Sequence, residues 1–393
     1  MADRRERLLT IPFAIASAVN FLQGMALHAY LHLPGWLDEL GADELVNGLI
    51  FGLMSGAAIA VRPLAGRVMD GAGRRVVILA GGVLQVLACG LYLTVGSIGA
   101  WLVVVRALQG FAEGALFSSL FTYAADIVPA SRRTEGIGLF GVSGMAPIAL
   151  GGLMGDLVLA HWHYRELFLV SLAIASLALV ASLPLREPAR ARGSMAPSRG
   201  FWSALRQTDL MPIWMIGSAT AVALAALLAF VKTFVDELHV GSVGLFFSAY
   251  AAAAIVLRLG FGWVPDRIGK KTSLYPALVC VSVALVVLSG ARGDVEMGVA
   301  GAFAGLGHGF AFPILSALVV DRANPADRGS AISLYTAVFD AGILLGAPIH
   351  GALARAADLR TMFFAAAFVP IAGAIAFHVW DRAALRAAVP ETS

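Results

Sequence analysis

The sequence is short of charge. Only 13% of its 393 residues are Asp, Glu, Lys or Arg, while 59% are hydrophobic, against about 25% and roughly 45–50% in soluble domains. That balance excludes a soluble globular chain and indicates a membrane protein. Cysteine is nearly absent: Cys89 and Cys280 each lie inside an apolar run, which reads as two small core residues and excludes a disulfide scaffold or a cysteine metal site. Also lacking are a Gly-x-x-x-x-Gly-Lys-Ser/Thr phosphate loop, a His-Glu-x-x-His metal motif, a Ser/His/Asp arrangement and any soluble domain to hold them. An enzyme or a membrane-embedded sensor is therefore disfavoured, no metal or cofactor is expected, and transport either draws on a gradient, most simply of protons, or is passive.

What is present is a series of long apolar runs. At 1.5 Å per residue about 20 apolar residues cross a ~30 Å hydrocarbon layer as a helix, and the pattern predicts an all-α membrane protein of twelve spans near 11–33, 45–65, 76–95, 101–123, 136–160, 167–183, 210–231, 243–263, 272–290, 295–320, 329–353 and 361–379. The first run, from Ile11 past Leu31, has no small-residue cleavage site and is expected to stay as the first span. Residues 186–209, rich in Pro, Ser and Arg, read as a linker between a 1–185 bundle and a 210–393 bundle. With the N-terminus in the cytoplasm, most arginines fall on the inner side, so both termini are expected there, in a multi-pass plasma (inner) membrane protein. The net charge of +3 then reflects inner loops facing anionic lipid and requires no nucleic-acid partner.

The charge that does occur is written twice. "RPLAGRVMDGAGRR" at 62–75 returns as "RLGFGWVPDRIGKK" at 258–271, in register at Arg62/Arg258, Gly66/Gly262, Asp70/Asp266 and Gly73/Gly269 and offset by 196 residues. With one residue of slippage Gly114, Asp126, Arg133 and Gly151 fall on Gly309, Asp321, Arg328 and Gly346. A six-helix unit has been used twice, in one orientation, which favours a pathway along the shared axis. Glycines at 66, 73, 262 and 269 permit tight turns and close approach, and Asp70 and Asp266 suit helix caps or ion pairs. With Asp126, Arg132, Arg133, Asp321 and Arg328 they compose a candidate cytoplasmic gate; charges that only fix topology are the equal alternative.

These motifs resemble the major facilitator superfamily, whose loop between the second and third spans reads Gly-x-x-x-Asp-Arg-x-Gly-Arg-Lys or a close variant. Gly262, Asp266, Arg267, Gly269, Lys270 and Lys271 match it, as do Gly66, Asp70, Gly73, Arg74 and Arg75, while Gly71 stands where the family has a basic residue that Arg67 or Arg74 would have to replace. "RALQG" at 106–110 is similar to the family's fourth-span motif, and "GMAPIALGG" at 144–152 is a partial version of the fifth-span motif of drug:proton antiporters; helix packing by small residues explains it as well. The resemblance implies twelve helices in two bundles and alternating access.

Mid-span polar groups are costly and so are candidates for function. Glu113 lies near the centre of the fourth span, preceded on one face by Arg106 and Gln109, and is the first choice for proton coupling. His308 holds the matching place in the tenth span, and Asp340 lies mid-way along the eleventh. Asn20 and Gln23 suit ligand orientation; His28 and His32 lack a third metal ligand; Lys232, Arg62 and Arg258 are expected to snorkel or pair at span ends. The expected activity is proton-coupled export of a small amphipathic or sugar-like molecule by a monomer, with lipid and protons as its other partners. The alternative is proton symport of an organic anion held by Arg106 and Lys232.

Overall fold

The computed structural model describes residues 7–42, 44–188 and 200–387 and is all-helical among them. Its long helices are α1 (Ile11–His28), α2 (Glu44–Gly71), α3 (Arg74–Tyr92), α4 (Ala100–Ile127), α5 (Arg133–Leu159), α6 (Tyr164–Ser182), α7 (Met211–Leu238), α8 (Val243–Phe261), α9 (Lys270–Gly290), α10 (Asp294–Arg322) and α11 (Arg328–Ala356). The last predicted span is two helices, α12 (Leu359–Ala366) and α13 (Phe368–Ala387), broken ahead of Pro370, whose ring cannot follow a helical turn without disturbing it.

Eleven spans among the described residues are long and apolar enough to cross a membrane, one fewer than expected. The remaining predicted span, 45–65, lies in α2, which is 28 residues long and carries no Asp, Glu, Lys or Arg from Leu45 to Val61. Local chemistry sets several helix starts. Thr10 Oγ1 accepts from Phe13 N with Pro12 behind it, Ser242 Oγ accepts from Leu245 N, and Asp358 accepts from Thr361 N at 2.8 Å. Exposed Trp101, Trp162, Trp202, Trp263 and Trp380 all lie near span ends, where an indole suits the boundary between lipid and water.

The chain forms two compact units. The first comprises Met1–Pro129, Phe140–Phe201 and Asn324–Leu334; the second comprises Ala130–Leu139, Trp202–Ala323 and Tyr335–Ser393. Thus α5 begins in the second unit and continues in the first, while α11 does the reverse. Of the predicted linker, residues 189–199 lie outside the described residues.

In the first unit Tyr30, Trp36, Tyr92 and Phe168 form an aromatic cluster, with Tyr30 and Tyr92 centroids 4.6 Å apart and Trp36 edge-on to Phe168 at 4.9 Å. Helices α2 and α4 cross at Gly110, where a Cβ would fall on the Met54 carbonyl oxygen; in the second unit α8 and α10 cross at Gly305, against the Tyr250 carbonyl oxygen. These equivalent small residues let backbones meet where lipid gives no hydrophobic drive to helix pairing. Both cysteines are free, Cys89 fully buried and Cys280 partly so.

Candidate functional site

The repeated loop turns at the same glycine in both units, although the first follows an unbroken helix to Gly71 and the second a separate short helix, Val264–Ile268. Gly73 has φ 110° and Gly269 φ 111°, a region that side chains with a Cβ rarely enter, so each loop turns there and starts the next helix. In the first unit the Asp70 carboxylate accepts from Gly329 N at 2.8 Å and Ser330 N at 2.9 Å, in the first turn of α11. A Cβ on Gly66 would lie 2.9 Å from Ser330 Cα, so glycine is what admits that helix end. In the second unit Asp266 accepts from Thr134 N at 3.2 Å and Glu135 N at 3.0 Å, in the first turn of α5, and Gly262 faces Glu135. Each aspartate therefore meets the unsatisfied N–H groups and positive end of a helix macrodipole.

Ion pairs surround these caps. Arg74 Nε binds Asp126 at 2.8 Å, and its Nη1 donates to Met69 O at 2.9 Å. Arg74 stands in register with Lys270 of the second copy, and Gly71 with Arg267. In the second unit Lys270 contacts Asp321 at 2.9 Å and Asp266 at 3.4 Å, and Arg133 pairs with Asp321. Arg132 pairs with Glu135 at 2.6 Å, Arg267 stacks on Trp263, and Arg328 opens α11.

Two carboxylates were missed in the sequence. Glu187 accepts from Arg74 N and Arg75 N, both at 2.8 Å, while Arg75 Nε donates to Leu185 O at 2.6 Å. Asp381 pairs with Lys271 and with Arg322, the latter at 2.6 Å. The available signal was one acid at the end of each repeat, both reaching back to the loop's basic pair.

Deeper in the first unit Arg106 is 1% exposed. Its Nε donates to Ile50 O at 3.1 Å and its Nη1 to Gln109 Oε1 at 2.7 Å, the same oxygen that accepts from Tyr92 OH at 2.8 Å. Replacing Arg106 by methionine is expected to leave a buried carbonyl and amide without a charged donor, costing about 2–4 kcal/mol. A lowered melting temperature in detergent at unchanged ligand preference would be the result. Glu113 is half-buried on the same helix. Asn20 donates to Ser143 Oγ at 2.9 Å and Gln23 is buried beside it on α1. His28 binds Gly24 O at 2.7 Å and His32 binds Gly152 O at 3.0 Å, so both histidines are used within the bundle. A Cβ on Gly24 would meet Pro147, and one on Gly151 would meet His28: these fifth-span small residues pack on α1.

In the second unit His308 Nδ1 bonds Tyr250 OH, and the imidazole lies parallel to Phe339 at 6.2 Å and edge-on to Phe312 at 6.1 Å. Asp340, next to Phe339 in α11, is half-buried. Arg62 and Arg258, expected to snorkel or pair, are 2% and 3% exposed, and Arg258 Nε donates to Gly309 O at 3.0 Å. The Lys232 side chain lies outside the described residues. A cavity of about 650 Å³ at the far end of this unit, lined by Phe230, Thr233, Glu237, Arg355 and Arg360 among others, holds none of the predicted site residues.

The family model of the Major Facilitator Superfamily matches residues 13–299 and 293–392. The chain belongs to the Major Facilitator Superfamily. It is similar, at 26% identity over 92% of this chain and 95% of the relative, to the uncharacterized MFS-type transporter STM4428 of Salmonella typhimurium. At 24% identity, over 85% of this chain and 84% of the other, it is similar to the uncharacterized MFS-type transporter YhhS of Escherichia coli K12. Among solved structures, the Major Facilitator Superfamily transporter FucP in the outward conformation gives a TM-score of 0.77 at 15% identity, covering 96% of this chain and 99% of that one. The human organic anion transporter MFSD10 gives 0.74 at 18% identity, covering 93% and 98%. This superfamily protein is a membrane transporter and not an enzyme.

Proposed function

We propose that the protein is a proton-coupled secondary transporter that works as a monomer by alternating access, with the two charged loops as its cytoplasmic latch and Glu113 and Asp340 as its proton-binding groups. The observation that carries this reading is the duplicated cap. Asp70 holds the first turn of α11 and Asp266 the first turn of α5, on the side that the basic loops assign to the cytoplasm. Hydrogen bonds that close a pathway at one end must part when that end opens, and helix-end caps can do so without unfolding either helix.

Direction is the finer question. Export rests on the fifth-span motif, yet Pro147 and Gly151 are accounted for by contact with α1. Uptake of an organic anion with protons has a specific observation on its side, the two buried arginines Arg62 and Arg258. It does not use the donors first assigned, since Arg106 is committed to Ile50 O and Gln109. In right-side-out vesicles, acid outside driving substrate accumulation supports uptake, and substrate loss under the same gradient supports export.

Glu113→Gln is expected to reduce proton-driven accumulation about tenfold or more while leaving substrate exchange at equal pH in place. Proton-driven flux at the wild-type rate in this variant would remove Glu113 from the coupling mechanism.

A further inference from the structure

The same stretch of sequence closes the end of one repeat and leaves the other hollow. "WLDEL" at 36–40 returns as "FVDEL" at 234–238, and "HYRELFL" at 163–169 as "DLRTMFF" at 358–364. This register sets Trp36 on Phe234, Tyr164 on Leu359 and Phe168 on Phe363. Each copy keeps one edge-on ring pair, Trp36 with Phe168 at 4.9 Å and Phe234 with Phe363 at 5.5 Å.

Around that shared pair the two units differ. In the first, the chain bends after His28 through a turn at Ala29–His32 into a short helix, Leu33–Glu39. The bend packs Tyr30, Trp36 and Leu37 into the core with Tyr92, and Gly35 lies so near Tyr164 that a Cβ would meet its hydroxyl. In the second, α7 runs unbroken from Met211 to Leu238, with Leu228 in the place of Tyr30 and Leu359 in that of Tyr164. A straight helix and smaller side chains leave the recess of about 650 Å³ between the ends of α7 and α11 and the start of α12. Its volume falls within the ~300–1,000 Å³ of small-molecule sites. It lies at the end of the unit away from the charged loop, which the basic residues of that loop assign to the outer face.

The recess is lined on one side by Phe230 and Thr233 and carries four charges, Glu237, Arg355, Asp358 and Arg360. Two of these are engaged. Arg360 Nη1 donates to Ser289 O at 2.9 Å with its guanidinium over Phe234, and Asp358 accepts from Thr361 N at 2.8 Å. Among the described residues, the side chains of Glu237 and Arg355 have neither a hydrogen-bond nor an ion-pair partner. One open anion and one open cation therefore stand on separate helices beside one apolar wall. A ligand that is only an anion meets repulsion from Glu237, and one that is only a cation meets it from Arg355. A molecule carrying both charges satisfies both groups, its carboxylate matching the two parallel donors of the guanidinium.

We propose that this recess is an outer-face binding site for a small zwitterion of the free amino-acid class, with an ammonium and a carboxylate on an apolar body. Glu237 receives the ammonium, Arg355 the carboxylate, and Phe230 faces the body. The bound molecule ties the end of α7 to the end of α11. The site stands apart from Glu113 and from the latch, and does not rest on the proton-coupled reading.

The test is thermal shift on the purified full chain in detergent at neutral pH. Leucine and phenylalanine are expected to raise the melting temperature. N-acetyl-leucine, which lacks the ammonium, and leucinamide, which lacks the carboxylate, should need about tenfold or more higher concentration for the same shift. Glu237 and Arg355 are exposed, so their glutamine variants should fold. Glu237→Gln should weaken leucine about tenfold or more and remove its advantage over N-acetyl-leucine; Arg355→Gln should do the same relative to leucinamide. Ala357→Trp, which fills the recess, should abolish the response. No shift with either amino acid, equal shifts from all four probes, or folded Glu237→Gln and Arg355→Gln variants that respond as wild type would overturn the proposal. So would a shift from short-chain phosphatidylethanolamine alone, which assigns the recess to a lipid headgroup. A leucine response lost in Glu113→Gln but kept in Glu237→Gln would place the binding in the transport pathway and overturn it equally.

Discussion

Asparagine in place of Asp70 or Asp266 is expected to release the helix end that each aspartate holds. Asp70 loses its ionised acceptor for Gly329 N and Ser330 N, and Asp266 its acceptor for Thr134 N and Glu135 N. Hydrogen bonds to a charged group contribute about 1.5–3 kcal/mol each and a favourable charge at a helix terminus about 0.3–1 kcal/mol. Asparagine keeps one weaker acceptor, so a net loss of about 2–3 kcal/mol per latch is a fair expectation, which moves an equilibrium by roughly 30–150-fold. Ser330 and Thr134 are 0% and 2% exposed. With Cys89 and Cys280 replaced by serine, a cysteine at 330 should react with a maleimide about tenfold or more faster in the Asp70→Asn background. A cysteine at 134 should do the same in Asp266→Asn. Unchanged labelling in both pairs would show that the caps do not hold the closed end, and would take the latch out of the proposed mechanism.

The second large effect is expected from packing. Alanine at Gly305 places a methyl group on the Tyr250 carbonyl oxygen, and alanine at Gly110 places one on the Met54 carbonyl oxygen. Backbone cannot swing aside as a side chain can, so each substitution should cost at least the about 1–3 kcal/mol typical of overpacking and lower the melting temperature by several degrees. Gly305→Ala carries a further consequence, because displacing α8 displaces Tyr250 from His308. It should reduce transport at a temperature where the protein is still folded, whereas alanine at Gly290, around which a Cβ would meet nothing, should alter neither. A Gly305→Ala protein with wild-type stability would contradict the close helix crossing on which the second unit is built.

Much of this was legible before any coordinates. Eleven of the predicted spans coincide with helices found apolar enough to cross a membrane, because desolvated backbone leaves a lipid-embedded segment little choice but helix. The loop motif was legible for a related reason: charge is so rare here that a charged stretch occurring twice stands out. The reading failed where distance along the chain misleads. Glu187 is 113 residues from Arg74 and Asp381 is 110 from Lys271, and nothing local marks either acid as the loop's partner. Arg62 and Arg258 were assigned to the span ends because an arginine near a loop usually reaches water, yet both are covered by neighbouring helices.

The sequence by itself determined the helical class, the membrane environment and the twofold repeat, since these depend on composition and periodicity, which every residue reports locally. Only the tertiary structure decided the roles of the charges. It set Asp70 and Asp266 on helix ends, Arg74 on Asp126 and Arg106 on Gln109, and buried Arg62 and Arg258. Whether an ionised side chain caps, pairs or meets a substrate is fixed by which atoms replace its lost water, and in this fold those atoms come from helices far away in the chain.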